Sequence, residues 1–164
     1  MLDKQEIVIN TTPLLSLIAA TGSLDVLQIL YSRVWVPLEV CEEVFKGGSS
    51  GLGIAEFTQA QFLFKQNRAV LISALLRNSL DKGEASVIQT AIDNNIALVA
   101  IDETVGRRYA KLSNLKLTGT LGILLRAKQL GYPITIAAAI QRMQQQGIWL
   151  SNDLAKTALE MAGE

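Results

Sequence analysis

Histidine is missing altogether from the 164 residues. Its absence excludes Ser-His-Asp and Cys-His catalysis, imidazole general bases and any zinc site that needs a His ligand. Cysteine occurs once, at Cys41, so neither an internal disulfide nor a Cys-rich metal centre can form, and a reducing compartment is implied. Net charge is lacking too, with 15 Lys and Arg against 15 Asp and Glu. A neutral chain does not hold nucleic acid by bulk charge, so any such site has to be a local patch. Long apolar runs are also missing. The longest uncharged stretch, Ile7 to Leu24, is broken by Asn10, Thr11, Thr12, Pro13 and Gly22, whereas a spanning helix needs about 20 predominantly apolar residues. The leading MLDKQE has two acids against one lysine, unlike a secretory signal. The expectation is a cytoplasmic protein with no membrane segment. Apolar residues make up 49 %, enough for one domain over 1–164 with a real core. The chemistry left to such a chain is mostly that of carboxylates.

Short β-prone runs alternate with helical ones. Glu6–Ile9 reads as a strand, followed by a helix capped by Thr12 with Pro13 at its first position and closed by Gly22. Ser23 caps a second helix to Leu30. Arg33–Val36 is a strand, and Pro37 opens a helix to about Lys46. GGSSG at 47–51 reads as a flap rather than a linker. Residues 54–66 read as helix and Ala69–Ile72 as strand. Lys82–Asn94 is helical, and Ile96–Ile101 has the continuous apolar character of a strand buried on both faces. A helix from Glu103 to Leu112, a strand near 115–117 and helices near 120–130, 135–146 and 152–162 complete the chain. The alternation predicts an α/β fold with a central parallel sheet, residues 133–164 forming a helical extension packed on it. Ligands of such folds bind at the carboxyl ends of the strands, where Asn10 and Asp102 stand.

Helical rotation of roughly 100° per residue sorts the acids. Glu43 shares the apolar face of Val36, Val40 and Val44, Glu42 points nearly opposite, and Glu39 falls on a flank. An acid on an apolar face is costly unless paired or ligating, and a carboxylate at the core margin fits Glu43 equally well. Glu84 stands in the first turn of the Val87, Ile88 and Ala91 stripe, but Asp81-Lys82-Gly83-Glu84 also has capping-box spacing, which spacing alone slightly favours. Asp102 suits either a helix cap or a metal. Three acids from separate segments, with no lysine obviously paired to them, are expected to converge at one sheet edge around a hard divalent cation, Mg²⁺ or Mn²⁺.

VINTTPLLSL (8–17), VPLEVCEEVFKG (36–47), LDKGEASVIQTAI (80–92), ALVAIDETVGRRYA (97–110) and LTGTLGILLRAK (117–128) follow one another in an order that resembles PIN-domain proteins. More narrowly, the chain resembles a VapC-related branch with an Asn-Thr-Ser-Pro-Leu-like opening and a late Gly-Thr-Leu-Gly. The resemblance implies a three-layer α/β/α sandwich and a Mg²⁺- or Mn²⁺-dependent ribonuclease, often the toxin half of a toxin–antitoxin pair and often a homodimer. Carried over by motif, the catalytic and metal-ligating positions are Asn10, Glu43, Glu84 and Asp102, with RNA as substrate and an antitoxin protein as partner. Asn10 stands where the pattern has Asp, which removes one negative charge. The hydroxyls of Thr11, Thr12 and Thr120 fall near the same edge.

Arg107 and Arg108, with Lys111, could meet RNA phosphates, although three charges on one helix more often form a solvated face. The glycine-rich stretch lacks Gly-Lys-Ser/Thr and so is no Walker loop. Trp35 and Trp149 are expected in the core rather than as base-stacking platforms. The run ITIAAAI at 134–140 suits a dimer face or a core helix equally. Two other functions compete: a catalytically weakened PIN-like binding module, and a phospho-receiver with Asp102 as acceptor and Thr118 as switch. The receiver ranks last, since no acidic pair follows the first strand.

Overall fold

The protein, described by a computed structural model over residues 3–47 and 51–164, is built on β1 (Glu6–Ile9), β2 (Arg33–Val36), β3 (Phe64–Lys65), β4 (Leu98–Ala100) and β5 (Lys116–Thr118). All pair in parallel, in the order β3-β2-β1-β4-β5. Ile7, Val8 and Ile9 of β1 are fully buried, as are Val99, Ala100 and Ile101 around β4. Successive strand side chains point to opposite faces, so burial of every one requires cover on both.

That cover comes from helices. On one side α1 (Thr11–Thr21) packs against α8 (Thr120–Gln129) and α9 (Ile136–Gln145), and α2 (Asp25–Leu30) against α8. On the other, α6 (Lys82–Asp93) lies on β1 and β4, and α7 (Thr104–Leu112) on β5. The helices α3 (Leu38–Phe45), α4 (Ile54–Gln59), α5 (Ala74–Ser79) and α10 (Asn152–Met161) complete the layers. This is the α/β/α sandwich with a central parallel sheet that the sequence predicts. No helix among the described residues is long and apolar enough to cross a membrane.

Several local expectations are corrected. The first helix starts at Thr11 with Asn10 as its N-cap residue, not at Pro13 with Thr12 as cap, because the Asn10 amide still donates to Ala100 O (3.1 Å) and extends the β1–β4 ladder to the helix start. Leu24 rather than Ser23 precedes α2. Residues 54–66 do not form one helix. Phe57, Ala60 and Leu63 are all buried, and their spacing of three imitates helical periodicity, yet α4 stops at Gln59 and Phe64–Lys65 pairs with β2. Ala69–Ile72 is not a strand; the Val70 amide donates instead to Glu39 Oε2 (3.1 Å), and Glu39 is buried rather than on a flank. Trp35 is half-buried, edge-on to Phe64, but Trp149 is 83 % exposed and not in the core. In the 134–140 run, Ile136, Ala139 and Ile140 are buried, with α9 packed on α1, so these three supply core, while Ala137 and Ala138 are exposed. The flap assigned to 47–51 falls largely outside the described residues.

The C-terminal helices are tied down by Glu164. Its Oε2 accepts from Lys128 Nζ (2.7 Å) and the Ile136 amide (2.7 Å), and its Oε1 from the Ala137 amide (3.1 Å). These bonds hold the carboxyl down to about 2. A folded-state value below the ordinary one gives stability that is present above about pH 4.5 and lost as pH falls towards 2. Thermal unfolding followed between pH 5 and pH 2 should therefore show wild type losing more stability than Glu164→Gln, which should start lower at pH 5 and fall less.

Candidate active site

From β1 the chain steps outward to β2 and β3, then returns past β1 to build β4 and β5 on the other side. The reversal leaves a crevice at the carboxyl ends of β1 and β4, where open parallel sheets bind ligands. Asn10 directly follows β1, and Asp102 and Glu103 follow the buried end of β4. Arg107 Nη1 donates to Ile101 O (2.8 Å) and Thr118 O (3.2 Å), lashing together the ends of β4 and β5. That group is engaged at the strand ends, while Arg108 is exposed on α7.

Asp102 is not the cap of the helix that follows it. Glu103 occupies the N-cap position of α7, and Asp102 turns to α8 instead. Its Oδ1 accepts from the Thr120 amide (2.8 Å) and its Oδ2 from the Thr120 hydroxyl (2.6 Å). Burial pushes this carboxyl up, and the two Thr120 bonds and nearby Arg107 only partly oppose it. Gly119 makes the approach possible, since a Cβ there would lie 2.5 Å from Asp102 Oδ1.

The threonines after β1 hold two further acids. Thr11 Oγ1 donates to Glu43 Oε2 (2.7 Å), and Thr12 Oγ1 donates to Glu103 Oε1 (2.6 Å). Glu43 reaches from α3 to the start of α6, where its carboxyl lies over Gly83; a Cβ on that glycine would come within 2.8 Å of Glu43 Cδ. Glu84 follows on α6. Its backbone amide completes the Asp81 cap at 2.8 Å, as the spacing predicts, but its side chain is buried in the site, and a Cβ on Gly106 would lie 3.2 Å from its Cδ. Burial raises the Glu84 carboxyl to about 7, assisted by the charges of Asp81, Glu103 and Glu43 and by a hydrogen bond shared with Glu103.

The geometry therefore brings Glu43, Glu84 and Glu103 into electrostatic contact, with Asp102 beside Glu103. Glu103 is the member that sequence reasoning missed. Its signal was present: two acids follow a buried strand where a helix cap needs only one. The expected convergence on a single point is not seen, because among the described residues no group of three or more His, Cys, Asp or Glu side chains is placed to hold one ion. The donor chemistry nonetheless suits a hard cation. Asn10 Oδ1 and Glu103 Oε2 are buried with no hydrogen-bond partner, and among the described residues none of the site acids has an ion pair. Mg²⁺ needs only one or two carboxylates, keeping water in its other positions, so orphaned oxygens and unneutralised charge fit it without a closed cage.

The raised Glu84 carboxyl has a definite pH signature. A value lifted from 4.5 to about 7 gives stability that is complete below about pH 4.5 and lost as pH rises through about 7. Without added metal, melting temperature should fall across that window, and Glu84→Gln should remove most of the fall. The variant should then exceed wild type at pH 8 by up to about 3 kcal/mol. Parallel curves for the two proteins would show that Glu84 ionises as it does in the unfolded chain.

A family model described as a PIN domain matches residues 6–164. No curated protein matches the chain. The parallel sheet, its switch-point acids and a match running through nearly the whole sequence lead to one conclusion: the chain belongs to the PIN-domain family, whose members are generally nucleases and typically use divalent metals.

Proposed function

We propose that the chain is a Mg²⁺- or Mn²⁺-dependent endoribonuclease of the VapC-related branch, acting as the toxin half of a toxin–antitoxin pair. The observation that carries this reading is the set of carboxyl groups gathered at the switch point, none of them ion-paired among the described residues. Glu103 and the Asn10 amide oxygen, whose buried oxygens have no hydrogen-bond partner, are the groups that would hold the ion directly, with Glu43, Glu84 and Asp102 as anchors for its water. When bound, a divalent ion supplies charge stabilisation on the phosphate and activation of water. The chain's own residues do the positioning. Thr11 and Thr12 fix Glu43 and Glu103, and Thr120 fixes Asp102. Glu84, at about 7, can take or release a proton near neutral pH, the property wanted of a general base in a protein without histidine.

A second reading, a PIN-like binding module with weakened catalysis, is favoured by two observations: Asn10 in place of an acid, and the lack of a three-acid group among the described residues. The two readings diverge in one set of variants. For the nuclease, Glu43→Ala, Glu84→Ala, Asp102→Ala and Glu103→Ala should each lower Mn²⁺-dependent RNA cleavage on the order of 10²-fold or more while remaining folded. Glu42→Ala should match wild type. Asn10→Asp should lower the metal-free melting temperature by adding a charge to the cluster, and Mn²⁺ should restore it by mass action. A wild type that neither binds Mn²⁺ at millimolar concentration nor cleaves RNA supports the module, and loss of folding in all four acid variants makes the acids structural.

A further inference from the structure

One cleft of about 760 Å³ joins the acidic site to the C-terminal helices. Thr12, Asp102 and Glu103 line one end of it, and Trp149, Leu150 and Leu154 the other. Trp149 is 83 % exposed, and its display is fixed by its neighbours. Gly147, with φ +81°, ends α9; Ile148 and Leu150 pack against the core on either side; and Ser151 caps α10 by accepting from the Leu154 amide (3.1 Å). Residues 148 and 150 face inward, so the alternation of an extended segment turns 149 outward. Single exposed apolar residues are ordinary on protein surfaces. This one is an indole flanked by two anchored residues, in the same cleft as the candidate catalytic carboxylates Asp102 and Glu103.

The charge of the cleft narrows what can occupy it. Among its described lining residues Arg107 is the cation, and its Nη1 is bound to the carbonyls of Ile101 and Thr118. A ligand gains little there from phosphate neutralisation, and a chain of zero net charge adds no general attraction. What the far end offers is a flat π-face with an apolar floor. We propose that Trp149 is the stacking platform for an unpaired nucleobase adjoining the phosphodiester held at the carboxylate end. This inference rests on the nuclease reading for the identity of that phosphodiester. The base that Trp149 takes is an unpaired one, gripped by stacking more than by charge, because a base within a duplex has no free face to offer.

Fluorescence gives a direct test. Trp35→Phe leaves Trp149 as the only tryptophan. Mixing of that variant with increasing hexauridylate in Mn²⁺, read by stopped flow before turnover, should quench its emission. Trp149→Ala should weaken hexauridylate binding about 5- to 150-fold, Trp149→Phe should keep most of the affinity, and an abasic phosphodiester of equal length should bind wild type and Trp149→Ala alike. Because the side chain is exposed, neither variant should alter the melting temperature. Unchanged hexauridylate affinity in Trp149→Ala, no saturable binding to wild type, or equal quenching by the abasic chain overturns the proposal. So does a monomer–dimer equilibrium that Trp149→Ala abolishes, since the indole would then serve a second copy. RNA cleavage separates the two readings. Cleavage of hexauridylate with a KM untouched by Trp149→Ala overturns the platform alone, whereas Trp149-dependent binding without any cleavage overturns the nuclease alone.

Discussion

Like charges at the end of a buried ladder set the terms for this molecule. Carboxylates brought together out of water disfavour each other's ionised form, and the threonine bonds and Arg107 beside them offset that only in part. What holds them is the pairing of β1 with β4. Ile7, Val8, Ile9, Val99 and Ile101 are fully buried there, each worth about 1.5–3 kcal/mol, so two or three of them outweigh the roughly 3 kcal/mol linked to the Glu84 shift. The sheet centre can therefore carry an unfavourable edge, and the crevice at that edge is a by-product of the order in which its strands are laid down.

The acids are not equivalent within that crevice. Asp102 and Glu43 are each fastened by a threonine hydroxyl, one on α8 and one on α1. Glu103 is fastened in the same way by the Thr12 hydroxyl, and Glu84 is the buried acid whose carboxyl is raised to about 7. The site thus has fixed members that define its geometry and one, Glu84, whose charge responds to pH near neutrality. Arg107, which in sequence looks like a hand held out to phosphate, is spent largely on keeping the floor of the crevice closed.

Much of this was visible in the sequence, for reasons that differ by residue. The central strands are short, apolar apart from Glu6 and followed by Asn10 and Asp102, so their burial and the position of the site could both be derived. Asp81 announced the start of α6 through ordinary capping chemistry, although the same spacing drew attention away from the inward-facing Glu84 side chain. The edge strand β3 was hidden because Phe57, Ala60 and Leu63 bury at intervals of three without being one helix. Glu103 was hidden because one cap position was available to two acids and only the fold decides which takes it. Rotation about a helix gives the face of a side chain but not its distance from another helix, which is why the inward acids could be named and their spread could not. Trp149 was misassigned on composition, since whether an indole is covered depends on what a loop's two neighbours are anchored to.

Glycine at 83 and 106 lies inside α6 and α7, where alanine would ordinarily favour the helix by about 1 kcal/mol. Both positions are instead kept bare by what rests on the backbone, the Glu43 carboxylate over Gly83, and Ile101 Cγ2 together with the Glu84 carboxyl over Gly106. The usual route to a more heat-resistant helix is thus closed at the points nearest the acids, and a lineage drifting toward thermostability through these two codons would empty its own site. A homologue with alanine at both positions is one in which the crevice has already been given up.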